Sequence, residues 1–516
     1  MSSESQAAYE AELSGSASSH SMEAPEGASG GGMASVPLHP GTGGTSSHSG
    51  SGTGGTSLSS GTGAASHYYG SGYDPKYVRE LVRLGAIRDK QVKLKGNGED
   101  TVTMMIYMNG SDLESEEGEA TTDIAEILAA GSSDKVNILI KTIGTKNWQN
   151  YGISSKRSQI YKVTGNGLEL VKDDLKQEAV GNAETLSDFI SWGARNYPAD
   201  RYILQLWNHG GGPVYGFGGD ETGDEEDTLT LSEMQRALKK GGVYFDFIGM
   251  DCCLMACLEV GCALYDFCDY LITSEDFESG LGWSYTGWVK ALYDNTSIPT
   301  PELGRIIVDD MVRDNEDAKS SGWGDSAILS VIDVSMVKVL YTAWKQFAYA
   351  NEAVLLGDNY SRELTRKSYG RLSPAAKKSL FDLIDILLSE DTQMSDYYIT
   401  DIMAVADNIE SDESDALKAA VSQTIVYMNA TTEDMELTGI SVTLPYGDGS
   451  FYSELNSEFT SAGFDSEYVG WLKRFVNASG ADSYYNYDEW DESWDGWGSF
   501  VLEMLALELF NDCCSD

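Results

Sequence analysis

The fold is decided by Arg201-Tyr-Ile-Leu-Gln-Leu-Trp-Asn-His-Gly-Gly-Gly212, a predicted buried strand that runs straight into His209 and three glycines. A second buried strand is predicted by Phe245-Asp-Phe-Ile-Gly-Met-Asp-Cys-Cys-Leu-Met255, and it runs into an aspartate and two cysteines. In an open parallel sheet, reactive groups collect at the carboxyl ends of the strands. A histidine and a cysteine that follow two such strands are therefore placed as a base and a nucleophile.

His209 has no competitor for the role of base. The chain has five histidines, and the other four lie in a low-complexity N-terminal segment, at His20, His39, His48 and His67. A lone histidine at a strand end is more often structural than catalytic. Here the catalytic role is favoured, because glycines follow His209 and cysteines follow the neighbouring strand. A cysteine nucleophile in this chain has no other histidine to use.

Strands and helices alternate on both sides of these two stretches. Further strands are predicted over 101–108, 136–142, 160–163, 168–171, 269–274, 327–332 and 439–444. Helices are predicted over 121–130, 185–194, 231–238 and 254–265. This alternation predicts an α/β fold with a mostly parallel sheet and helices on both faces. Beyond Val289 the pattern turns mainly helical.

Composition excludes several classes of partner and site. The formal net charge of −46 repels nucleic acid and anionic lipid, and it attracts cationic substrates. No run approaches the ~18 apolar residues of a membrane-spanning helix. Seven cysteines without a C-x-x-C pair argue against a disulfide scaffold, a zinc site and an iron–sulfur cluster.

The chain divides into four predicted parts. Residues 1–75 are rich in Ser, Gly and Thr and contain no Lys or Arg, which predicts a disordered leader or linker. Its start lacks the basic and apolar regions of a signal peptide. A catalytic core is predicted over 98–335 and a C-terminal part of the same unit over 336–475. The segment 483–516 is an acidic, aromatic tail.

These residues resemble the clostripain family of cysteine peptidases, which share a caspase-like fold with gingipains and legumain. The resemblance rests on Trp207-Asn-His-Gly-Gly-Gly212 and Asp251-Cys-Cys-Leu-Met255, and it covers roughly residues 98–475. Supporting pieces match in order at 107–114, 216–221 and 274–283. The resemblance implies a caspase-like sheet with a mainly helical C-terminal extension. It also implies a cysteine endopeptidase that acts on proteins or peptides without an organic cofactor.

The resemblance gives each residue of the predicted site a role. Cys253 matches the nucleophile and His209 the catalytic histidine, while the backbone N–H groups of Gly210 and Cys253 would form the oxyanion hole. Asp251 matches the carboxylate of the S1 pocket in members that cleave after Arg or Lys. We expect Cys253 to begin the helix over 254–265, whose N-terminal dipole would favour a thiolate.

Three departures from the family pattern bear on specificity and maturation. Cys252 stands where the family usually has Ala. Leu281 lies in the region where some members place a second acid of the S1 pocket. The loop Gly216–Thr230 contains no Lys or Arg, so self-cleavage after a basic residue there is not available.

Several questions stay open at this level. The acidic loop 220–227 is compatible with calcium binding but fails the EF-hand spacing, so a solvated loop is the other interpretation. A catalytically silent binding or surface protein of the same fold is the alternative function. The resemblance suggests a secreted or cell-surface protein, and the oligomeric state is not predicted.

Overall fold

The computed structural model describes residues 87–223, 227–319, 327–356, 398–407, 409–431, 437–445 and 449–478. The predicted leader over 1–75 and the predicted tail over 483–516 lie outside these residues, so both stay predictions. Within the described residues, no helix is long and apolar enough to cross a membrane.

A nine-stranded sheet forms the centre of the fold, in the order β10-β8-β7-β6-β5-β1-β2-β3-β4. The strands are β1 (Val102–Asn109), β2 (Val136–Ile143), β3 (Gln159–Thr164), β4 (Gly167–Lys172), β5 (Arg201–Trp207), β6 (Phe245–Asp251), β7 (Cys268–Thr273), β8 (Ile328–Asp333), β9 (Ile399–Asp401), β10 (Ile425–Ala430) and β11 (Ser441–Thr443). The five central strands, from β7 to β2, are parallel, and antiparallel pairs extend the sheet at both edges. β9 and β11 form a separate two-stranded sheet.

Helices cover both faces of the sheet. They are α1 (Glu119–Ala129), α2 (Ala183–Asn196), α3 (Gly212–Tyr215), α4 (Leu231–Gly241), α5 (Leu258–Leu264), α6 (Tyr285–Asp294), α7 (Thr300–Lys319), α8 (Val337–Ala350), α9 (Glu352–Leu355), α10 (Ile402–Asp407), α11 (Asp412–Thr424), α12 (Gly449–Ser461) and α13 (Ser466–Ala478). The prediction of a mostly parallel sheet between helices, with a mainly helical C-terminal part, is confirmed.

The central sheet lies between two hydrophobic cores, and its strands contribute apolar side chains to both. Along β1, Met105 and Tyr107 face the core that contains α2, α4 and α8. The alternate residues, Met104 and Ile106, face the core that contains α1, α6 and α7. Because side chains alternate across a strand, a strand buried on both faces reads as one continuous apolar run.

One edge strand of the main sheet was missed by the sequence prediction. Ile425-Val-Tyr-Met-Asn-Ala430 forms β10, which pairs with β8 at the edge of the main sheet. The strand begins at the residue after Thr424, where α11 ends, and no glycine or proline marks the change. The predicted boundary between the catalytic core and the C-terminal part, at residues 335 and 336, stays a prediction. The main sheet contains strands from both sides of this boundary.

Candidate active site

The carboxyl ends of β1, β5, β6 and β7 meet at one edge of the sheet, as parallel strands require. β5 and β6 are in parallel register from Ile203 with Phe247 to Trp207 with Asp251. The amide of Asn208 extends this ladder by donating to the carbonyl of Asp251 at 3.2 Å. His209 and Cys253 each lie two residues beyond this last pair, Trp207 and Asp251.

The glycine that follows His209 lets the two chain segments touch. A Cβ atom on Gly210 would lie 3.1 Å from the amide nitrogen of Cys253 and would overlap its carbonyl oxygen. The His209 carbonyl accepts from Gly218 at 3.0 Å, which folds the loop back on itself. Neither Gly210 N–H nor Cys253 N–H donates to another residue in the described part of the chain. Two adjacent amides are therefore available as donors.

Asp112 holds the imidazole of His209. Its Oδ1 accepts from His209 Nε2 at 2.9 Å, and the two side chains are 53% and 47% exposed. This bond, together with one from the Ser111 hydroxyl, holds the pKa of Asp112 well below its usual range although burial opposes the shift. Asp112 is thus a carboxylate at any pH near neutral.

The Cys253 thiol contacts the segment that follows β7. The amide of Glu278, in the segment after β7, donates to Cys253 Sγ at 3.2 Å, and the Glu278 carbonyl lies 4.0 Å from the same sulfur. His209 and Cys253, both described, share no hydrogen bond. Catalytic hydrogen bonds of free enzymes are often long and shorten when substrate binds.

The helix that we expected to begin at Cys253 begins at Leu258 instead. Leu254 adopts a left-handed φ of +66°, which no α-helix accommodates. The amides of Leu254 and Ala256 donate to the carbonyls of Asp276 and Ser274, so the segment pairs with the loop after β7. The prediction of a thiolate favoured by a helix dipole is therefore wrong.

The surroundings of Cys253 oppose ionisation of the thiol. Burial is the largest cause and the Glu278 carboxylate the next, and together they raise the Cys253 pKa to about 12 despite the hydrogen bond from the Glu278 amide. Burial raises the pKa of Cys252 well above its usual range too, and that residue is only 2% exposed. Of the two neighbouring thiols, Cys253 is the accessible one.

Asp251 lies beneath the site and is 5% exposed. Its Oδ2 accepts from the Tyr285 hydroxyl at 2.7 Å and its Oδ1 from the Trp283 amide at 3.3 Å. Burial raises the pKa of this carboxyl, while the two hydrogen bonds act in the opposite direction. Leu281, in the same loop as Trp283, is 41% exposed.

Glu278 is a second acid next to Asp251, and sequence reasoning did not assign it. Its Oε1 accepts from the Trp283 indole at 3.0 Å, so Trp283 contacts both carboxyls, one through its backbone and one through its ring. Glu278 Oε2 is shielded from solvent and has no hydrogen-bond partner among the described residues. Burial and the neighbouring Asp251 raise the pKa of Glu278. No Lys, Arg or His of the described residues pairs with Asp251 or Glu278.

The described residues contain no group of three or more His, Cys, Asp or Glu side chains arranged for a metal ion. In the acidic loop, Asp220 binds the amide and the hydroxyl of Thr222 at 2.8 and 2.6 Å. Residues 224–226 of the loop lie outside the described part, so calcium binding there stays an untested prediction.

Comparison with known proteins gives a family and a fold. The sequence model of the clostripain family matches residues 106–497. A solved structure of a secreted C11 cysteine protease from Bacteroides thetaiotaomicron, in complex with an irreversible peptide inhibitor, is 16% identical, with a TM-score of 0.52, over 71% of this chain and 99% of that one. A second structure of a secreted C11 protease from the same organism, iotapain, is 14% identical, with a TM-score of 0.50, over 74% and 99%. Comparison with curated proteins gave no match.

Proposed function

Because this chain belongs to the clostripain family and is therefore a cysteine peptidase, we propose that Cys253 and His209 cut peptide bonds as nucleophile and base, preferentially after Arg or Lys. The observation that supports this proposal is the register of β5 and β6, whose last pair, Trp207 and Asp251, precedes His209 and Cys253 by two residues in each strand. Peptides and proteins are the substrates that the family implies.

The reaction proceeds through an acyl-enzyme. His209 takes the proton of the Cys253 thiol as Sγ attacks the scissile carbonyl carbon, and the carbonyl electron pair moves onto oxygen. Collapse of the tetrahedral intermediate breaks the C–N bond, and the imidazolium returns its proton to the leaving amine. His209 then takes a proton from water as the water oxygen attacks the thioester carbonyl, the C–S bond breaks, and the imidazolium returns its proton to Cys253 Sγ. General-base transfer suits this site because the surroundings of Cys253 disfavour a thiolate in the free enzyme.

The oxyanion hole is formed by the amides of Gly210 and Cys253. What supports this assignment is that both N–H groups are adjacent and donate to no other described residue. Donors fixed before the reaction stabilise charge without having to reorganise. A side chain at position 210 would remove the contact between the two segments.

A cationic P1 side chain would pair with the two acids near the nucleophile, Asp251 and Glu278. Asp251 and Glu278 have hydrogen-bond donors but no cationic partner among the described residues. A guanidinium or ammonium group placed there would favour their ionised forms and gain charge-assisted hydrogen bonds. A neutral P1 side chain would leave both acids uncompensated. These contacts support selectivity for Arg or Lys.

The proposed chemistry uses only groups of the protein and no cofactor. A calcium requirement remains a separate proposal, tested by activity with and without a chelator. The two solved structures are of secreted proteases, and we extend that location to this chain as part of the proposal.

A positional-scanning peptide library tests the function directly. The purified chain should hydrolyse peptides with Arg or Lys at P1, and Cys253→Ala should abolish turnover without loss of folding. Strongest cleavage after acidic or small apolar residues would overturn the role of Asp251. No hydrolysis of any peptide would favour the silent binding protein.

A further inference from the structure

The hydrogen bond between His209 and Asp112 fixes which ring nitrogen meets the thiol. His209 Nε2 is 2.9 Å from Asp112 Oδ1, and a carboxylate can only accept, so Nε2 carries the proton. The other nitrogen, Nδ1, is left to exchange a proton with Cys253. The tautomer of a histidine is set by the hydrogen bond that its second nitrogen makes.

The position of Asp112 is itself fixed by the strand that carries His209. Asn208 Nδ2 donates to the Ser111 hydroxyl at 2.6 Å and to the Asn109 carbonyl at 2.7 Å. The Ser111 hydroxyl donates in turn to Asp112 Oδ1 at 2.7 Å. Ser111 adopts a left-handed φ of +39°, which is uncommon for a residue other than glycine. The loop after β1 is thus tied to the residue that precedes His209.

We propose that Asp112 is a positioning residue of the active site, which holds His209 by Nε2 and stabilises the imidazolium formed during the reaction. The inference rests on the proposed function, since it assigns a third member to the Cys253–His209 pair. As Cys253 Sγ bonds to the scissile carbon, its proton moves to Nδ1, and the new positive charge lies against the Asp112 carboxylate. When the C–N bond breaks, the proton passes from Nδ1 to the leaving amine.

The solvent exposure of His209 and Asp112 determines which measured quantity changes when Asp112 is lost. His209 and Asp112 are about half exposed, so their attraction in the free protein is screened by water and adds little to stability. A peptide bound across the site excludes that water, which strengthens the interaction when the charge forms. Loss of Asp112 should therefore reduce kcat and leave both the melting temperature and KM near their wild-type values.

The test compares three variants on one Arg-P1 peptide. Asp112→Ala should lower kcat roughly 10- to 100-fold, which is less than the ~10²–10⁴-fold of a whole general-base contribution because His209 itself remains. Asp112→Asn keeps an oxygen that accepts from Nε2 but lacks the charge, and it should recover part of the loss. Glu116→Gln is the matched control, because Glu116 is an exposed acid of the same loop that pairs with Lys146 instead of His209; its kcat should match wild type.

The outcomes separate this inference from the proposed function. An Asp112→Ala enzyme with wild-type kcat overturns the inference, while Cys253→Ala still reports on the nucleophile. An equal fall in kcat in Glu116→Gln also overturns it, because the effect then comes from the charge of the loop in general. A fall in Asp112→Ala that a lower melting temperature explains overturns it too, because the effect then comes from the stability of the loop. A wild-type chain that cleaves no peptide refutes the proposed function instead.

Discussion

Glu278→Gln should make the Cys253 thiol react faster with iodoacetamide, and the gain should grow with pH. The Glu278 pKa is raised by burial and by Asp251, so this side chain is protonated at low pH and ionised at high pH. Only the ionised form opposes a thiolate next to it. Wild type and variant should therefore react alike in acid and diverge as pH rises.

The expected change in the alkylation rate follows from the surroundings of Cys253. Burial and Glu278 raise the Cys253 pKa from the ordinary 9.0 to about 12, which corresponds to ~4 kcal/mol against ionisation. Since the thiolate is the reactive form, alkylation of wild-type Cys253 at about pH 8 should be ~1000-fold slower than that of an ordinary thiol. Its rate should keep rising with pH, but less steeply than that of Glu278→Gln over the range in which Glu278 ionises. Removing a neighbouring charge changes a pKa by about one unit or more, so the variant should gain at least ~10-fold at the alkaline end.

The assay is the alkylation rate of each cysteine, mapped by mass spectrometry from about pH 5 to 10. Cys252 is nearly inaccessible and serves as an internal control. Glu126→Gln is the control variant, because Glu126 acts on Asp251 and is not among the groups that shift Cys253. A wild-type rate that levels off near neutral pH would show a stabilised thiolate and refute the reasoning. An unchanged alkaline rate in Glu278→Gln would refute the part given to that carboxylate.

Three further outcomes are expected. Cys253→Ala should lose turnover, while Cys252→Ala should keep most of it, as steady-state kinetics will show; the opposite result would reassign the nucleophile. Asp251→Asn should lose the preference for Arg or Lys at P1, at a cost of ~2–5 kcal/mol for basic substrates, and a library profile like that of wild type would remove Asp251 from the pocket. Active protein should carry no cut within 216–230, since that loop lacks Lys and Arg; a cut found there by mass spectrometry that disappears in Cys253→Ala would contradict this.

The sequence predicts much of the sheet and the neighbouring placement of His209 and Cys253. Both residues directly follow apolar runs of strand length, and parallel strands bring their carboxyl ends to one edge. Short-range signals are sufficient for that result. They were not sufficient for β10, which follows α11 with no turn residue to mark the change.

Asp112 and Glu278 lie in the segments 107–114 and 274–283 that support the family resemblance, but sequence reasoning did not assign their contacts with His209 and Cys253. Asp112 comes from the loop after β1 and Glu278 from the segment after β7, so each is far along the chain from the residue that it contacts. The later start of the helix after Cys253, at Leu258, has a similar cause. Leu254 is held in a left-handed conformation by pairing with the β7 loop, whereas its side-chain type favours a helix.

The assignment of Cys253 as the nucleophile is tested most directly by covalent labelling with a peptide electrophile that carries arginine at P1. After reaction of the intact chain, peptide mass spectrometry should find one equivalent of label on Cys253. The label should persist in Cys252→Ala and disappear in Cys253→Ala, and in His209→Ala it should form much more slowly. Label on Cys252, or stoichiometric labelling that does not depend on His209, would contradict the account.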